Sequence, residues 1–131
     1  MPSRSLADAD PKLRDLWEQI VREYEAAHPG NHLLLTCTYR DTDEQARLYA
    51  HGRTAPGAIV THCDGVTTRS NHNAYPSRAL DFAVVIEGKV SWDSAEYAVV
   101  GHLAEGHGLI WGGDWTHFVD PPHLELRPEI R

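Results

Sequence analysis

Cysteine is scarce. The 131 residues hold two, Cys37 and Cys63. Two thiols make no disulfide framework, so the fold must stand on its core, and 41% hydrophobic residues supply one. Cys37 lies in an apolar run and reads as a small core residue. Cys63 lies in a loop and is a poor candidate nucleophile beside the better-equipped site below. Positive charge is short as well: 12 Lys and Arg stand against 19 Asp and Glu, a net charge of −7. Phosphate recognition needs clustered cations, which argues against nucleic acid as partner, and nothing favours attraction to an anionic surface. No apolar run approaches the length of a membrane-spanning helix. Residues 1–10 lack the hydrophobic stretch of a secretion signal, so the chain is expected to be made in the cytoplasm. No repeat, basic tail or low-complexity tract is present. The length suits one domain over 1–131, expected to be monomeric.

Histidine, in contrast, is plentiful, with nine residues, which raises the prior for metal chemistry. His62, His102, His107 and His117 read as surface residues. Asp10 as cap and Pro11 in the first turn open a helix whose stripe is Leu13, Leu16, Trp17, Ile20, Val21 and Tyr24; His28-Pro29-Gly30 ends it. Leu33 to Thr38 reads as a strand. Thr42 to Gln45 has capping-box spacing, with a short helix through Tyr49. Residues 52–78 are rich in Gly, Pro, Thr, Asn and Ser; a loop that long in a compact domain is usually functional. Ala79 to Ile86 reads as a strand, with Glu87-Gly88 turning into a return strand at Lys89-Val90. Asp93 with Glu96 repeats the capping-box pattern for a third helix to about His102–Glu105. Leu109 to Trp111 and His123 to Leu126 complete the pattern. Helices with an antiparallel or mixed sheet predict an α+β fold.

The strand Ala79 to Ile86 isolates one residue. Leu80, Phe82, Val84 and Ile86 share a face by alternation. Asp81 stands on the other among Ala79, Ala83 and Val85. A buried lone carboxylate is costly and requires a cation. On the last strand His123 and Glu125 point opposite to Leu124 and Leu126, so His123 joins Asp81 if the strands pair. His72 lies at the edge of the long loop. Two histidines and a carboxylate form a common catalytic zinc set with a position open for water, whose pKa zinc lowers to about 7. They also form the facial triad of iron oxygenases. Asp120, three residues before His123, is placed to act as general base. Arg40 either polarises or clamps a substrate group, or pairs on the surface with Asp41 or Glu44. Ser70 and Trp115 are candidate substrate-binding residues, and Glu125 a candidate partner orienting His123. Trp111 reads as packing.

These residues fall into three ordered motifs. They are Tyr39-Arg40 with Gln45-Ala46-Arg47-Leu48-Tyr49; Ser70-Asn71-His72 running to Ala79-Leu80-Asp81; and Trp111-Gly112-Gly113-Asp114-Trp115 with Asp120-Pro121-Pro122-His123-Leu124-Glu125. From about Leu33 to Leu126 the sequence resembles the M15 zinc peptidases, most of all the L-alanyl-D-glutamate endopeptidases of phage endolysins and bacterial wall hydrolases. The resemblance implies zinc on His72, Asp81 and His123, Asp120 as base and Arg40 in the substrate site. It implies a small antiparallel sheet carrying the zinc, packed with about three helices, as in the Hedgehog/DD-peptidase fold. It implies a peptidoglycan stem peptide as substrate, with no separate wall-binding module, reached after release by another factor. The His72–Asp81 gap is two residues longer than the motif, with Tyr75-Pro76-Ser77 where the motif has glycine. A wider loop is expected to absorb this, altering the cleft more than the metal set. D-alanyl-D-alanine carboxypeptidase or dipeptidase activity, an iron oxygenase and a non-catalytic zinc domain binding wall fragments are the competing readings.

Overall fold

The computed structural model describes residues 2–65, 68–116 and 118–128. Helix α1 spans Pro11–Ala27. Strand β1 spans Asn31–Cys37, helix α2 Thr42–Ala50 and strand β2 Ala79–Ile86. Strand β3 spans Lys89–Ser91, helix α3 Ser94–Gly106, strand β4 Ile110–Trp111 and strand β5 His123–Glu125. Short 3-10 turns at Leu6–Asp8, Asn71–Asn73 and Gly112–Asp114 link them. The fold is α+β, as expected. The sheet runs β1-β2-β5-β4 with β3 also on β2, and every pairing is antiparallel. None of the described helices is long and apolar enough to cross a membrane.

Helix α1 forms as its sequence dictates. Asp10 caps it by accepting from the Lys12 N–H, and Pro11 sits in the first turn, where no donor is needed. Leu13, Trp17, Ile20 and Tyr24 are its buried face. They join Leu80, Phe82 and Val84 of β2, Leu124 beside them, and Tyr97, Val100 and Ala104 of α3 in one core. Each large apolar side chain fully buried there contributes roughly 1.5–3 kcal/mol. Tyr97 meets its polar needs inside this layer: its hydroxyl donates to the Ser91 carbonyl (2.7 Å) and accepts from the Val84 N–H (3.2 Å).

Two helix starts differ from the sequence reading. The cap of α2 is Asp41, one residue before Thr42, and its carboxylate accepts from the Glu44 N–H at 2.8 Å; Gln45 is thereby freed to point inward, fully buried. Asp93 caps α3, but its own N–H goes to Ser91 Oγ. Glu96 therefore turns to the Tyr24 hydroxyl and the Asn31 amide instead of closing a capping box.

The face of β2 away from the helices carries the chemistry. Asp81 stands in register with Cys37 of β1 on one side and His123 of β5 on the other. A bulge between Leu35 and Cys37 sets this up. Leu33 and Leu35 pair with Val84 and Phe82 on the core side; the extra residue then turns Cys37 to the Asp81 side.

Candidate metal centre

Asp81 is the hub. His72 Nε2 and His123 Nδ1 each lie 3.2 Å from its Oδ1. The rings sit 5.1 Å apart, edge to face, and both histidines are buried. Different ring nitrogens face the aspartate because different partners hold the far side of each ring. His72 Nδ1 is 2.7 Å from the Thr38 carbonyl. A carbonyl only accepts, so Nδ1 carries the hydrogen and Nε2 is the free donor atom. His123 Nε2 is 2.7 Å from Glu125 Oε1, and the other Glu125 oxygen accepts from the Asn71 amide at 2.7 Å. That arrangement fixes the His123 tautomer and exposes its Nδ1.

The turn holding His72 is locally determined. Ser70 Oγ accepts from the His72 N–H, and Asn73 Oδ1 accepts from the Ser70 N–H, closing a capping box. The Arg40 N–H donates to the His72 carbonyl, and the Asn73 amide donates to the Arg40 carbonyl, both at 2.8 Å. The His123 turn depends on Gly112. A Cβ there would lie 2.3 Å from the Asp120 carbonyl and 3.0 Å from His123 Cβ. The Asp120 N–H donates to the Gly112 carbonyl at 2.9 Å. Asp120 Oδ2 then stands 3.8 Å from His123 Nδ1.

Burial works against a charge on His72, but the Asp81 carboxylate, by charge and hydrogen bond, raises its pKa to about 10. His123 is raised against burial in the same way, by Asp81 and Glu125. Asp81 pays the burial cost too, yet the two imidazoles hold it far below the ordinary carboxylate range. Asp120 moves the other way: burial, then the Asp81 charge, raises it against the pull of His123, His72 and Arg40. A raised carboxylate beside a lowered one is the pattern of a proton acceptor next to a fixed charge.

Arg40 faces the site. Its guanidinium lies 3.5 Å from Asp81 Oδ2 and 3.6 Å from Cys37 Sγ, and donates to Gln45 Oε1 at 2.9 Å. The alternative of a surface pair is not what the structure shows, since Asp41 caps α2 and Glu44 pairs with Arg47. Arg40, His72, Asp81, Asp120 and His123 open on one cavity of about 440 Å³, which Ser70 and Trp115 also line. Trp115 packs its ring 4.9 Å from that of His123. Trp111 is core instead, its indole N–H donating to the Pro121 carbonyl. Tyr75-Pro76-Ser77, the segment where the motif has glycine, does not line this cavity. Tyr75 donates to Asp8, and Ser77 exchanges backbone hydrogen bonds with Asp8 and Asp10. The added loop is held by the N-terminal segment.

Three placements were not foreseen. Cys37 is buried, as read, but also borders the site: its Sγ is 3.7 Å from His72 Nδ1. Among the described residues, the donor sets mutually within 4.8 Å are Cys37–His72–Asp81 and Asp81–Asp120–His123, joined at Asp81. The bulge that turns Cys37 leaves no trace in a sequence. Gln45 links Arg40 to the Cys63 carbonyl (2.8 Å) and to Thr61; its place in the Gln45-to-Tyr49 motif was the available signal. His62, read as a surface residue, is exposed but lines the cavity, 5.0 Å ring to ring from Phe118. His102 and His107 pair with Glu105 and Glu23 away from the site. His117 lies outside the described residues. Burial raises the Cys63 thiol, which disfavours it as a nucleophile.

An α+β chain that gathers two imidazoles and two carboxylates on one sheet face has the donor set of a metallohydrolase. The chain is similar to peptidases of the M15 family. A family model described as D-alanyl-D-alanine carboxypeptidase matches residues 64–126. The chain is 35% identical to the peptidoglycan L-alanyl-D-glutamate endopeptidase CwlK of Bacillus subtilis, over 79% of this chain and 65% of that one. It is 32% identical to the L-alanyl-D-glutamate peptidase of Listeria phage A118, over 95% of this chain and 41% of that one. It thus spans less than two thirds of the length of either curated relative. Its fold resembles that of the Serratia marcescens L-Ala D-Glu endopeptidase ChiX (TM-score 0.63, 24% identity, 97% of this chain and 89% of that one). It also resembles the D,D-pentapeptidase VanY, solved as an E175A mutant with Zn(II) (TM-score 0.61, 16% identity, 90% and 72%).

Proposed function

We propose that the protein is a zinc peptidase that cleaves peptidoglycan stem peptides at the L-alanyl-D-glutamate bond. The observation that carries this is Asp81 Oδ1, met at 3.2 Å by one imidazole nitrogen from each side. Donors around a tetrahedral zinc with bonds of about 2.0–2.1 Å stand roughly 3.3 Å apart, so these spacings suit such an ion. His72 Nε2, Asp81 and His123 Nδ1 would hold it; the two ring nitrogens fall in separate donor sets and would close toward each other across Asp81. Zinc when bound supplies a water with a pKa near 7 as nucleophile. Asp120, partly exposed to the cavity and raised in pKa, takes the proton of the attacking water and returns it to the leaving amine. Arg40, fixed by Gln45, donates to the oxygen on which negative charge develops. Thr38 and Glu125 hold the imidazoles in the tautomers the ion requires.

The two curated relatives named above favour the L-alanyl-D-glutamate bond. The likeness to the D-alanyl-D-alanine carboxypeptidase family model favours a D-alanyl-D-alanine bond as the second reading. An iron oxygenase would leave Asp120 without work, and a purely binding zinc domain would need no proton acceptor. The protein is proposed to act on the cell wall. Digestion of purified peptidoglycan with zinc, followed by mass spectrometry, should release stems beginning with D-glutamate, and a chelator should stop it. Released D-alanine would establish the second reading; no zinc-dependent product at all would remove both.

A further inference from the structure

We propose that Arg69 selects the acidic form of the substrate by binding the free carboxylate of the residue that follows the scissile bond. This rests on the peptidase reading above and narrows its substrate class. A glutamyl residue has two carboxyl groups and continues the peptide through one, so the other stands free beside the cut bond. A chain of net charge −7 must meet that anion with a local cation.

Two arginines line the cavity among the described residues, Arg40 and Arg69. Arg40 is already committed: its guanidinium faces Asp81 and donates to Gln45. Arg53, nearby in sequence to the cavity loop, is folded back on its own segment. It lies 3.8 Å over the Tyr49 ring and donates to the Tyr49 and Thr61 carbonyls. Arg69 differs from both. It is exposed, its Nη2 donates to the Asn73 carbonyl at 2.9 Å, and it makes no ion pair among the described residues. A neutral tether positions the guanidinium and leaves its charge uncompensated, with most of its five donors still available for a planar carboxylate. The tether also fixes its place. Arg69 directly precedes the Ser70–Asn73 capping box that carries His72 and donates to Asn73 itself, so the cation and the metal ligand are held by one turn.

The test compares two synthetic stem peptides with zinc-loaded enzyme, one with the free carboxylate on the D-glutamyl residue and one with its primary amide. Wild type should cut the acid about tenfold more efficiently, as one charge-assisted contact at an exposed site would give. The difference should sit in KM more than in kcat and shrink with added salt. Arg69→Ala should bring the acid-to-amide ratio close to one, Arg69→Lys should keep part of it, and Arg69→Glu should invert it. Equal cleavage of both peptides by wild type overturns the proposal, as does an Arg69→Ala enzyme that keeps the wild-type ratio, whatever its overall rate. If neither peptide is cut, the peptidase reading fails. Calorimetric binding of the two peptides then decides Arg69, and equal affinities in wild type overturn its role.

Discussion

Asp120 and Glu125 flank the same imidazole and are proposed to do different work. Glu125 is held on both oxygens, by His123 and by Asn71, each at 2.7 Å. It can orient and polarise a ring but has no freedom to carry a proton to substrate. Asp120 stands 3.8 Å from the other ring nitrogen and reaches the cavity. Two substitutions separate these roles. Asp120→Asn should lower kcat by about 10²–10⁴, the range for a positioned proton acceptor, with zinc content by atomic absorption unchanged. Glu125→Ala should weaken zinc affinity about 10–100-fold, read by competition with a chromogenic chelator, and recover much of its activity in excess zinc. If the two variants behave alike, the division is wrong. As the proposed proton acceptor, Asp120 should also set an acid limb. Burial and the Asp81 charge raise its pKa, and protonation removes the acceptor. The kcat/KM of the wild type should therefore fall with decreasing pH at a midpoint above the ordinary value of about 3.9, and Asp120→Asn should lack that limb.

At the scale of elements, the site is made by where backbones can approach. Gly112 is the clearest instance: its missing Cβ lets the Asp120–His123 turn sit against it. Gly112→Ala should cost roughly 1–3 kcal/mol of stability through overpacking and should also weaken zinc binding, because the turn that must move carries His123. Thermal unfolding with and without zinc reads both; loss of stability with unaltered zinc affinity would detach the turn from the site. Much of this architecture was legible beforehand. Strict alternation from Ala79 to Ile86 put Leu80, Phe82 and Val84 on the core side and Asp81 opposite, and β2 occupies that span. Alternation on the last strand likewise put His123 with Asp81, and the two are in register. What alternation cannot show is a break in itself. The bulge before Cys37 shifts the phase by one residue, which is why a thiol read as core lies beside His72. Gln45 escaped for a related reason: a polar residue early in a helix reads as a cap until the true cap, Asp41, is known.

For the molecule as a whole, the site sets how stability follows pH, and the sign depends on the metal. In the metal-free protein His72 serves as the cation for Asp81, with its pKa lifted to about 10. A base whose folded pKa is raised contributes stability that is complete below its unfolded value of about 6.5 and is lost as pH rises through the folded one. Asp81, lowered, contributes in the opposite sense: its share is present above about 3.9 and is lost on acidification. The chelated protein should accordingly be most stable between roughly pH 4 and 6.5 and should soften steadily toward alkaline pH. Zinc needs both imidazoles unprotonated, so its binding expels protons from His72 and His123, and its stabilisation grows as pH rises. Melting curves between about pH 6.5 and 9 should show Tm falling in chelator while the gap to the sample at fixed free zinc widens. Isothermal calorimetry at neutral pH in buffers of different ionisation enthalpy should register proton release on zinc binding. A constant gap, or binding with no protons released, would mean that zinc does not displace the protons of these histidines, and His72 and His123 would lose their assignment as its ligands.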